Sequence, residues 1–183
     1  MTILVLNCGS SSIKYQVIEM NGMNENTLLV KGQVERIGLS DGLLVHKPVG
    51  KPQFELTKSI PDHTVGINLI LEALVDPEHG VLHNINELSA VGHRVAHGGE
   101  YFEDSAIVDK SVKQKIEACF ELAPLHNPAN LKGILSMENL LPNTPQVAVF
   151  DTSFHQTIPA ANFMYALPYK YYEEYRVRRY GFH

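Results

Sequence analysis

This 183-residue sequence has few cysteines, no long apolar run and no excess of positive charge. Each of these features excludes a class of protein. Cys8 and Cys119 are too few for a disulfide framework, so we expect free thiols and a cytoplasmic location. No apolar stretch is long enough to cross a bilayer, and residues 3–6 are too short for the core of a signal peptide. The excess of 20 acidic over 15 basic residues argues against a nucleic-acid partner.

Several familiar catalytic signatures are missing as well. The sequence contains no Gly-x-Gly-x-x-Gly fingerprint, no Gly-x-Ser-x-Gly elbow and no Cys-x-x-Cys pair. It also has no internal repeat and no low-complexity tract. Hydrophobic residues make up 44% of the chain and charged residues 19%, which is the balance of an ordinary globular domain. Function must therefore be inferred from shorter segments.

Short apolar and alternating runs predict strands near the N-terminus, and helical patterns follow them. The predicted strands are residues 3–6, 13–17, 27–37, 43–47, 54–57, 90–96 and 147–150. The predicted helices are residues 63–75, 110–121 and 128–140, the last with Pro128 at its first position. Strands followed by alternating helices and strands indicate an α/β fold with one mixed sheet and flanking helices.

Asp151 is predicted to mark a domain edge. It ends the apolar strand at residues 147–150, and the carboxyl ends of strands are where ligands bind in open α/β sheets. The composition then shifts to a segment crowded with tyrosine that has little to form a core of its own. We therefore divide the chain into a domain at residues 1–151 and the start of a second domain at residues 152–183, which needs another surface to pack on.

The first candidate site is the run Asn-Cys-Gly-Ser-Ser-Ser-Ile-Lys at residues 7–14. Small residues allow close approach of the backbone to a ligand, and amide groups, hydroxyls and a lysine together suit phosphate oxygens. The run is not a Walker A loop, because it has one glycine and a strand follows it. A serine-rich hairpin turn with a surface lysine remains an alternative interpretation.

The second candidate site lies around Arg94, in the run Val-Gly-His-Arg-Val-Ala-His-Gly-Gly-Glu at residues 91–100. An arginine beside a double-glycine turn suits bidentate binding of a carboxylate or a phosphate, although a structural arginine–carboxylate pair would explain it equally. His93 and His97 are spaced like zinc ligands, but the catalytic glutamate that accompanies such a pair is absent. We interpret both histidines as structural.

Three further segments carry polar side chains at exposed or terminal positions. His126 precedes a predicted helix N-terminus, where anions are favoured, although Asn127 as a helix cap is an alternative. Asp151 suits a metal or a base role, or a capping role. The run Arg-Arg-Tyr-Gly-Phe-His at residues 178–183 carries two arginines, which are usually solvated, and His183.

Taken in order, these segments resemble the acetate kinase family of the acetate and sugar kinase/Hsp70/actin superfamily. The matching segments are residues 4–15, 92–99, 123–129, 147–157, 166–169 and 178–183. The resemblance implies Mg²⁺-dependent, reversible phosphoryl transfer from ATP to acetate, which gives acetyl phosphate and ADP. It also implies two ribonuclease-H-like domains, a homodimer in the full-length protein, and a motif that continues past His183. The chain is therefore expected to be an N-terminal portion that is inactive alone.

The resemblance assigns roles to residues already singled out. It implies that Asn7 positions Mg²⁺, that Arg94 binds acetate and the transferring group, and that Asp151 orders the metal shell and the arginines. Donors to the phosphoryl oxygens would be His126 and His183. The remaining implied roles are nucleotide phosphate binding by Ser10, Ser12 and Lys14 and a methyl pocket formed by Ala96, Leu125 and Phe182.

Other functions remain open at the level of sequence. Family members often carry valine where this chain has Ala96, and the smaller residue leaves room for propionate, so a propionate or butyrate kinase is one alternative. A non-catalytic phosphate-binding fragment is a second. A zinc hydrolase built on His93, His97 and His126 is a third, weakened by the missing glutamate.

Overall fold

One mixed sheet organises the described residues, 1–22 and 25–181, of this computed structural model. Its eight described strands are β1 (Thr2–Cys8), β2 (Ile13–Met20), β3 (Asn26–Glu35), β4 (Gly42–Pro48), β5 (Phe54–Lys58), β6 (Leu88–Val95), β7 (Ala106–Ile107) and β8 (Gln146–Phe150). They lie in the order β5-β4-β3-β2-β1-β6-β8-β7. The predicted α/β fold with a mixed sheet is confirmed.

Two kinds of strand pairing meet at β1. From β1 to β5 each strand pairs antiparallel with the next, as a run of hairpins does. On its other side β1 pairs parallel with β6, and β6 pairs parallel with β8. Since parallel neighbours end at the same edge, the carboxyl ends of β1, β6 and β8 meet there.

The sheet is flanked by α1 (His63–Leu74), α2 (Lys110–Ala118) and α3 (Asn127–Leu140). The segment after β8 forms α4 (Ala160–Phe163) and α5 (Lys170–Tyr175), and short 3-10 helices lie at Ile85–Glu87 and Asp151–His155. The carboxylate of Asp62 caps α1 by accepting from the Val65 N–H at 3.0 Å. The Asp109 carboxylate caps α2 in the same way at 2.7 Å.

Several predicted element ends were wrong: β1 and β2 run beyond their predicted ends at residues 6 and 17, to Cys8 and Met20. Two other elements end earlier than predicted. The strand predicted at residues 27–37 ends at Glu35, because Arg36 adopts a left-handed backbone with φ of 56°. The helix predicted at residues 110–121 ends at Ala118, where the Cys119 N–H bonds to the Ile116 carbonyl and the chain turns. Both apolar patterns continue beyond the break, so periodicity alone could not locate it.

The core lies between the sheet and the helices. Alternate residues of β1 and β2, such as Leu4, Leu6 and Ile13, are fully or almost fully buried against Ile67 and Ile70 of α1. A second cluster around Ile116, Ile134 and Phe150 joins α2 and α3 to β8. These two clusters hold α1, α2 and α3 against the sheet whose strand ends carry the candidate site.

The segment after Asp151 is largely exposed. Tyr165, Tyr169 and Tyr175 are each 47% exposed or more, so this stretch builds no core of its own. It contacts the rest of the described chain through a few buried residues, Thr152, Arg178 and Tyr180. In the described part of the chain, no helix combines the length and the apolar character that a membrane crossing requires.

Candidate active site

The carboxyl ends of the three parallel strands bring Asn7, Arg94 and Asp151 together. Asn7 is the penultimate residue of β1, Arg94 the penultimate residue of β6, and Asp151 follows β8 directly. Their polar side chains therefore converge at one edge of the sheet although 144 residue numbers separate the first from the last (151 − 7). This edge is where the sequence predicted a ligand site.

Arg94 holds Asp151 in a bidentate pair. Its Nη2 donates to Asp151 Oδ2 at 2.6 Å, and its Nε donates to Oδ1 at 3.0 Å and to Oδ2 at 3.1 Å. Its Nη1 donates to Asn7 Oδ1 at 3.2 Å. The hydrogen bonds to Asp151 raise the pKa of Arg94 above its usual value, so the guanidinium carries a fixed positive charge.

The arginine–carboxylate pair that one interpretation predicted is thus present, and it lies at the strand ends. The Arg94 side chain remains 44% exposed, whereas that of Asp151 is 20% exposed. An ion pair with this exposure contributes little to stability. These bonds use three of the five guanidinium N–H groups, so one N–H on Nη1 and one on Nη2 are not engaged by Asp151 or Asn7 and could meet an incoming carboxylate or phosphate.

The hairpin between β1 and β2 lies beside this pair. Asn7 and Lys14 are directly opposite each other across the two strands. The Gly9 N–H donates to the Ser12 carbonyl at 2.8 Å and closes the tight turn, and Ser10 is exposed at its tip. A phosphate group at this turn would meet small side chains, hydroxyls and one cation.

Asn7 and Lys14 also line a groove of about 440 Å³ on the sheet. Lys31 and Lys47 line it as well, so three cations face the same space. Lys31 and Lys47 are directly opposite each other on β3 and β4, where like charges repel. The local excess of positive charge suits anionic ligands, although the chain as a whole has a net charge of −5.

Two buried asparagines of α3 fix the strand ends, and sequence reasoning missed both roles. Asn130 accepts from the Ala96 N–H at 3.0 Å and donates to the Cys8 carbonyl at 2.7 Å, which ties β1 to β6. Asn127 accepts from the His97 N–H at 3.1 Å and donates to the His97 carbonyl at 2.8 Å. One sequence feature could have indicated these roles: Asn127 and Asn130 are three residues apart at the start of a helix, on the apolar face of that helix.

The interpretation of Asn127 as a helix cap is therefore wrong. His126 occupies the capping position of α3 without a side-chain cap bond, and the helix begins at Asn127, so Pro128 is its second residue rather than its first. The fully buried amide of Asn127 serves the backbone of His97 instead. The side-chain amide of Asn127 offers both an acceptor and a donor, which match the N–H and the carbonyl of His97. These two hydrogen bonds take the place of a cap bond.

His63 is a third residue that the sequence did not single out. Its Nε2 lies 2.7 Å from the Gly9 carbonyl oxygen, so the first residue of α1 contacts the backbone of the hairpin turn. A lone histidine at a helix start gives no pattern that would have identified this contact.

His93 and His97 serve the fold, as predicted. His93 is 2% exposed, and its Nε2 lies 2.6 Å from Oε1 of Gln146. Burial lowers the pKa of His93 to about 4, so the ring is neutral at pH 7. The Nδ1 of His97 accepts from the Gly99 N–H at 3.0 Å. Two ring nitrogens are thus used elsewhere, and no cluster of three or more metal-ligating side chains occurs among the described residues.

The two thiols are inert. Both are buried, and burial raises the pKa of Cys8 to about 12 and that of Cys119 to about 11. Neither can supply a thiolate nucleophile at neutral pH, although Cys8 lies at the start of the hairpin turn.

The residues predicted for the methyl pocket differ in their surroundings. Ala96 is 2% exposed just beyond β6, whereas Leu125 is 76% exposed before α3. His126, beside Leu125, is also exposed. Phe182 and His183 lie outside the described residues. The pocket and the two histidine donors therefore stay predictions.

A mixed sheet of this topology, with polar groups at the carboxyl ends of its parallel strands, defines a ribonuclease-H-like domain of the actin-like ATPase class. A family model described as the acetokinase family matches residues 2–183. The chain belongs to that family, as its motifs predicted.

Sequence relatives agree. The chain is 53% identical over 183 residues to the acetate kinase of Thermoanaerobacter pseudethanolicus, and it spans 45% of that protein. It is 55% identical to the acetate kinase of Treponema denticola, again with 45% of that protein covered. The whole chain is matched in both cases. It thus spans about half the length of the curated relatives it matches.

Solved structures share the fold. The crystal structure of Porphyromonas gingivalis acetate kinase matches with a TM-score of 0.93 and 46% identity, covering 100% of this chain and 45% of that one. A propionate kinase structure from Francisella tularensis subsp. tularensis matches with a TM-score of 0.86 and 39% identity, covering 98% of this chain and 44% of the other.

Proposed function

We propose that the full-length protein containing this chain is an acetate kinase, which transfers a phosphoryl group reversibly from ATP to acetate. The products would be acetyl phosphate and ADP. The observation that carries the proposal is the oriented Arg94–Asp151 pair, joined to Asn7 and next to the β1–β2 hairpin. Relatives named acetate kinase at 53–55% identity support the choice of acetate.

The main problem of this reaction is electrostatic, because both reactants are anions. A carboxylate is already ionised at pH 7 and needs no strong general base. Phosphoryl transfer proceeds in line, with charge spread over the equatorial oxygens, so the protein mainly positions and neutralises. Arg94 would meet the acetate carboxylate and the transferring group with a guanidinium that Asp151 already orients.

The hairpin would hold the phosphate end of the nucleotide. Ser10 and Ser12 offer hydroxyls at the turn, and Lys14 offers a cation opposite Asn7. His126 stands at the N-terminus of α3, where the helix dipole favours anions. We assign His126 and His183 as donors to phosphoryl oxygens, and Ala96, Leu125 and Phe182 as the apolar contacts of the methyl group.

The residues present fit a magnesium ion carried by a nucleotide. Mg²⁺ prefers oxygen ligands and takes one or two protein groups besides phosphates and waters. The Asn7 amide oxygen is such a group at the strand edge and would hold the ion, while the Asp151 carboxylate beside it would order the metal shell. When bound, Mg²⁺ would neutralise part of the charge on the nucleotide phosphates.

This chain is expected to be inactive alone, because it spans 45% of the length of its acetate kinase relatives. In the family the adenosine site lies in the part that follows. A non-catalytic fragment that keeps only a phosphate site is the alternative for the isolated chain. Trapping of acetyl phosphate with hydroxylamine tests the activity of both forms. The full-length protein should produce hydroxamate, and the 183-residue chain should not. A full-length protein that is folded but phosphorylates no short carboxylate would contradict the proposal.

A propionate or butyrate kinase is the second candidate, favoured by the small side chain of Ala96 and by the propionate kinase among the structural relatives. Replacing Ala96→Val should lower kcat/KM for propionate relative to acetate by about 10-fold, since one methylene contributes about 1–3 kcal/mol in such a pocket. Steady-state kinetics with both acids measure this ratio. An unchanged or higher relative use of propionate in the variant would show that Ala96 does not set the pocket.

A further inference from the structure

The turn between β1 and β2 is closed by one hydrogen bond, whereas an ordinary two-residue hairpin turn has two. The Gly9 N–H donates to the Ser12 carbonyl at 2.8 Å. In a hydrogen-bonded pair of antiparallel residues both residues donate, so the Ser12 N–H would normally donate back to the Gly9 carbonyl. Within residues 1–22 and 25–181 that second bond is not formed. The Gly9 carbonyl has another partner.

His63 binds the Gly9 carbonyl in place of the Ser12 N–H. The Nε2 of His63 lies 2.7 Å from the Gly9 carbonyl oxygen, and the His63 residue is 4% exposed. A carbonyl oxygen only accepts, so Nε2 carries a proton and donates it to this bond. The imidazole is therefore a buried donor that reaches the hairpin turn from α1.

Two more backbone carbonyls of the hairpin are bound from outside it. The Asn130 amide donates to the Cys8 carbonyl at 2.7 Å, and the Ile37 N–H donates to the Ser11 carbonyl at 3.0 Å. Among the described residues, by contrast, no group accepts from the N–H groups of residues 10–12. Three consecutive backbone donors thus remain available at the turn, and consecutive N–H groups of this kind bind anions.

The His63 ring is held by the rigid start of a helix. The Asp62 carboxylate caps α1 by accepting from the Val65 N–H at 3.0 Å. One turn further, Gly66 packs closely on the start of β2, since a Cβ built on it would lie 3.1 Å from Cδ1 of Ile13. The position of the imidazole relative to the hairpin is therefore set by the packing of α1 and not by a mobile loop.

An imidazole is an unfavourable means of satisfying this carbonyl if stability alone matters. Burying a ring with two polar nitrogens costs solvation, whereas the Ser12 N–H of the same turn could bind the carbonyl without any side chain. The imidazole satisfies the buried acceptor and leaves the Ser12 N–H unpaired. A donor at an accessible turn loses little by this, because water can bind it until a ligand does.

We propose that His63 is a positioning residue for the nucleotide phosphates. By binding the Gly9 carbonyl it prevents the second closing bond of the turn, so that the N–H groups of residues 10–12 are left to bind phosphate oxygens. This inference rests on the proposed function, in which the hairpin holds the phosphate end of the nucleotide. His63 acts through Gly9 and Ser12 and need not touch the substrate.

The test uses the full-length protein with two substitutions at this position. His63→Leu removes the donor, whereas His63→Gln has an amide that can return an N–H to the place of Nε2. Thr64→Val is the matched control, because it removes the 2.8 Å hydrogen bond between Thr64 Oγ1 and Ser136 Oγ at the same helix start. The control perturbs α1 and leaves the bond between His63 and Gly9 in place.

His63→Leu should lower kcat/KM for ATP by about 10²-fold, the loss expected when binding groups are misplaced by about 1 Å. KM for acetate should change by less than about threefold, since Arg94 is oriented by Asp151 and not by the turn. His63→Gln should recover most of the loss, and Thr64→Val should keep wild-type values for both substrates. A general loss of stability would affect both substrates and would not be rescued by an amide.

Calorimetric titration with Mg²⁺–ATP in the absence of acetate gives a readout that needs no turnover. Kd should rise by about tenfold in His63→Leu, the order expected for one lost hydrogen bond to a charged group, and should return toward wild type in His63→Gln. If His63→Leu does not fold, His63→Asn takes its place. It carries the same amide on a shorter side chain, so it should bind ATP more weakly than His63→Gln.

The outcomes separate the two proposals. An active wild type with unchanged kcat/KM for ATP in His63→Leu, a His63→Gln variant no better than His63→Leu or His63→Asn, or an equal loss in Thr64→Val would overturn the positioning role and leave the proposed function intact. A wild type that binds ATP in a His63-dependent manner but phosphorylates no short carboxylate would overturn the proposed function alone. A folded wild type that binds no ATP would overturn both.

Discussion

The polar side chains at the strand ends differ in how they depend on their neighbours. Arg94 and Asp151 are partly exposed and satisfy each other, whereas Asn127 and Asn130 are buried and satisfy backbone groups. Loss of an exposed partner is compensated by water, but loss of a buried amide leaves a donor and an acceptor without partners. We therefore expect Asn130 to contribute to stability and Arg94 to contribute to function.

Asn130→Ala should lower the free energy of unfolding by roughly 2–4 kcal/mol, because the Ala96 N–H and the Cys8 carbonyl would both lose their partner. Urea unfolding followed by circular dichroism measures the loss. Asn143→Ala is the matched control, since Asn143 is exposed and surface changes usually stay within about 0.5 kcal/mol. Equal unfolding free energies for the two variants would contradict the role given to Asn130.

The buried His93 side chain should make the free energy of unfolding depend on pH. Its pKa is lowered from 6.5 to about 4 by burial, so the unfolded chain binds a proton more readily than the folded chain between these values. The stability from this group is complete above pH 6.5 and falls as the pH drops to about 4, by on the order of 3 kcal/mol. His46, whose pKa burial also lowers, adds to the same trend.

Urea midpoints measured at pH 7 and pH 5 test this dependence. His93→Gln removes the titrating group, so its midpoint should change less with pH than that of the wild type. The comparison concerns the slope with pH, and it is independent of any uniform loss of stability in the variant. An identical slope in both proteins would show that His93 does not titrate on unfolding.

How much the sequence could predict at this scale is clear from particular residues. Asn7 and Arg94 lie near the ends of their strands and Asp151 directly follows one, so their convergence at one edge was predictable once the strands were parallel. The contacts of Asn130 and His63 were not predictable, because each side chain binds a backbone carbonyl more than 50 positions away. No local sequence pattern encodes such a contact. Glu100 and Arg178 pair across 78 positions and were equally hidden.

At the scale of elements, local signals located strands and helices well and their ends less well. β4 and β5 lie close to their predicted positions, β2 continues three residues beyond its predicted end, and the aspartate before α1 caps that helix. The errors at β3 and α2 arise where apolar residues continue past a turn. Ile37 and Cys119 are buried by tertiary packing rather than by the periodicity of the element.

The cap of α1 gives a prediction for an element. Asp62→Ala removes the acceptor of the Val65 N–H and should lower the free energy of unfolding by about 1 kcal/mol. Asp41→Ala is the control, because the Asp41 carboxylate forms an exposed pair with Arg36 and its loss should have a smaller effect. Denaturant unfolding of both variants provides the comparison, and an equal loss would contradict the assignment of Asp62 as the cap.

At the scale of the whole molecule, the chain brings together the β1–β2 hairpin, the arginine–aspartate pair and the N-terminus of α3. It spans 45% of the length of its acetate kinase relatives. The division at Asp151 stays a prediction. In this structure the later segment contacts residues 97–100 through Tyr180, Gln156 and Arg178, and most of its tyrosines are exposed.

The central claim is that the oriented guanidinium of Arg94 binds the carboxylate and the transferring phosphoryl group. Acetyl phosphate formation by the full-length protein, wild type and Arg94→Lys, tests it most directly. Lysine keeps the charge and loses the fork, so kcat/KM for acetate should fall by about 10²–10³-fold while the protein stays folded. A folded Arg94→Lys variant with wild-type kcat/KM would contradict the account.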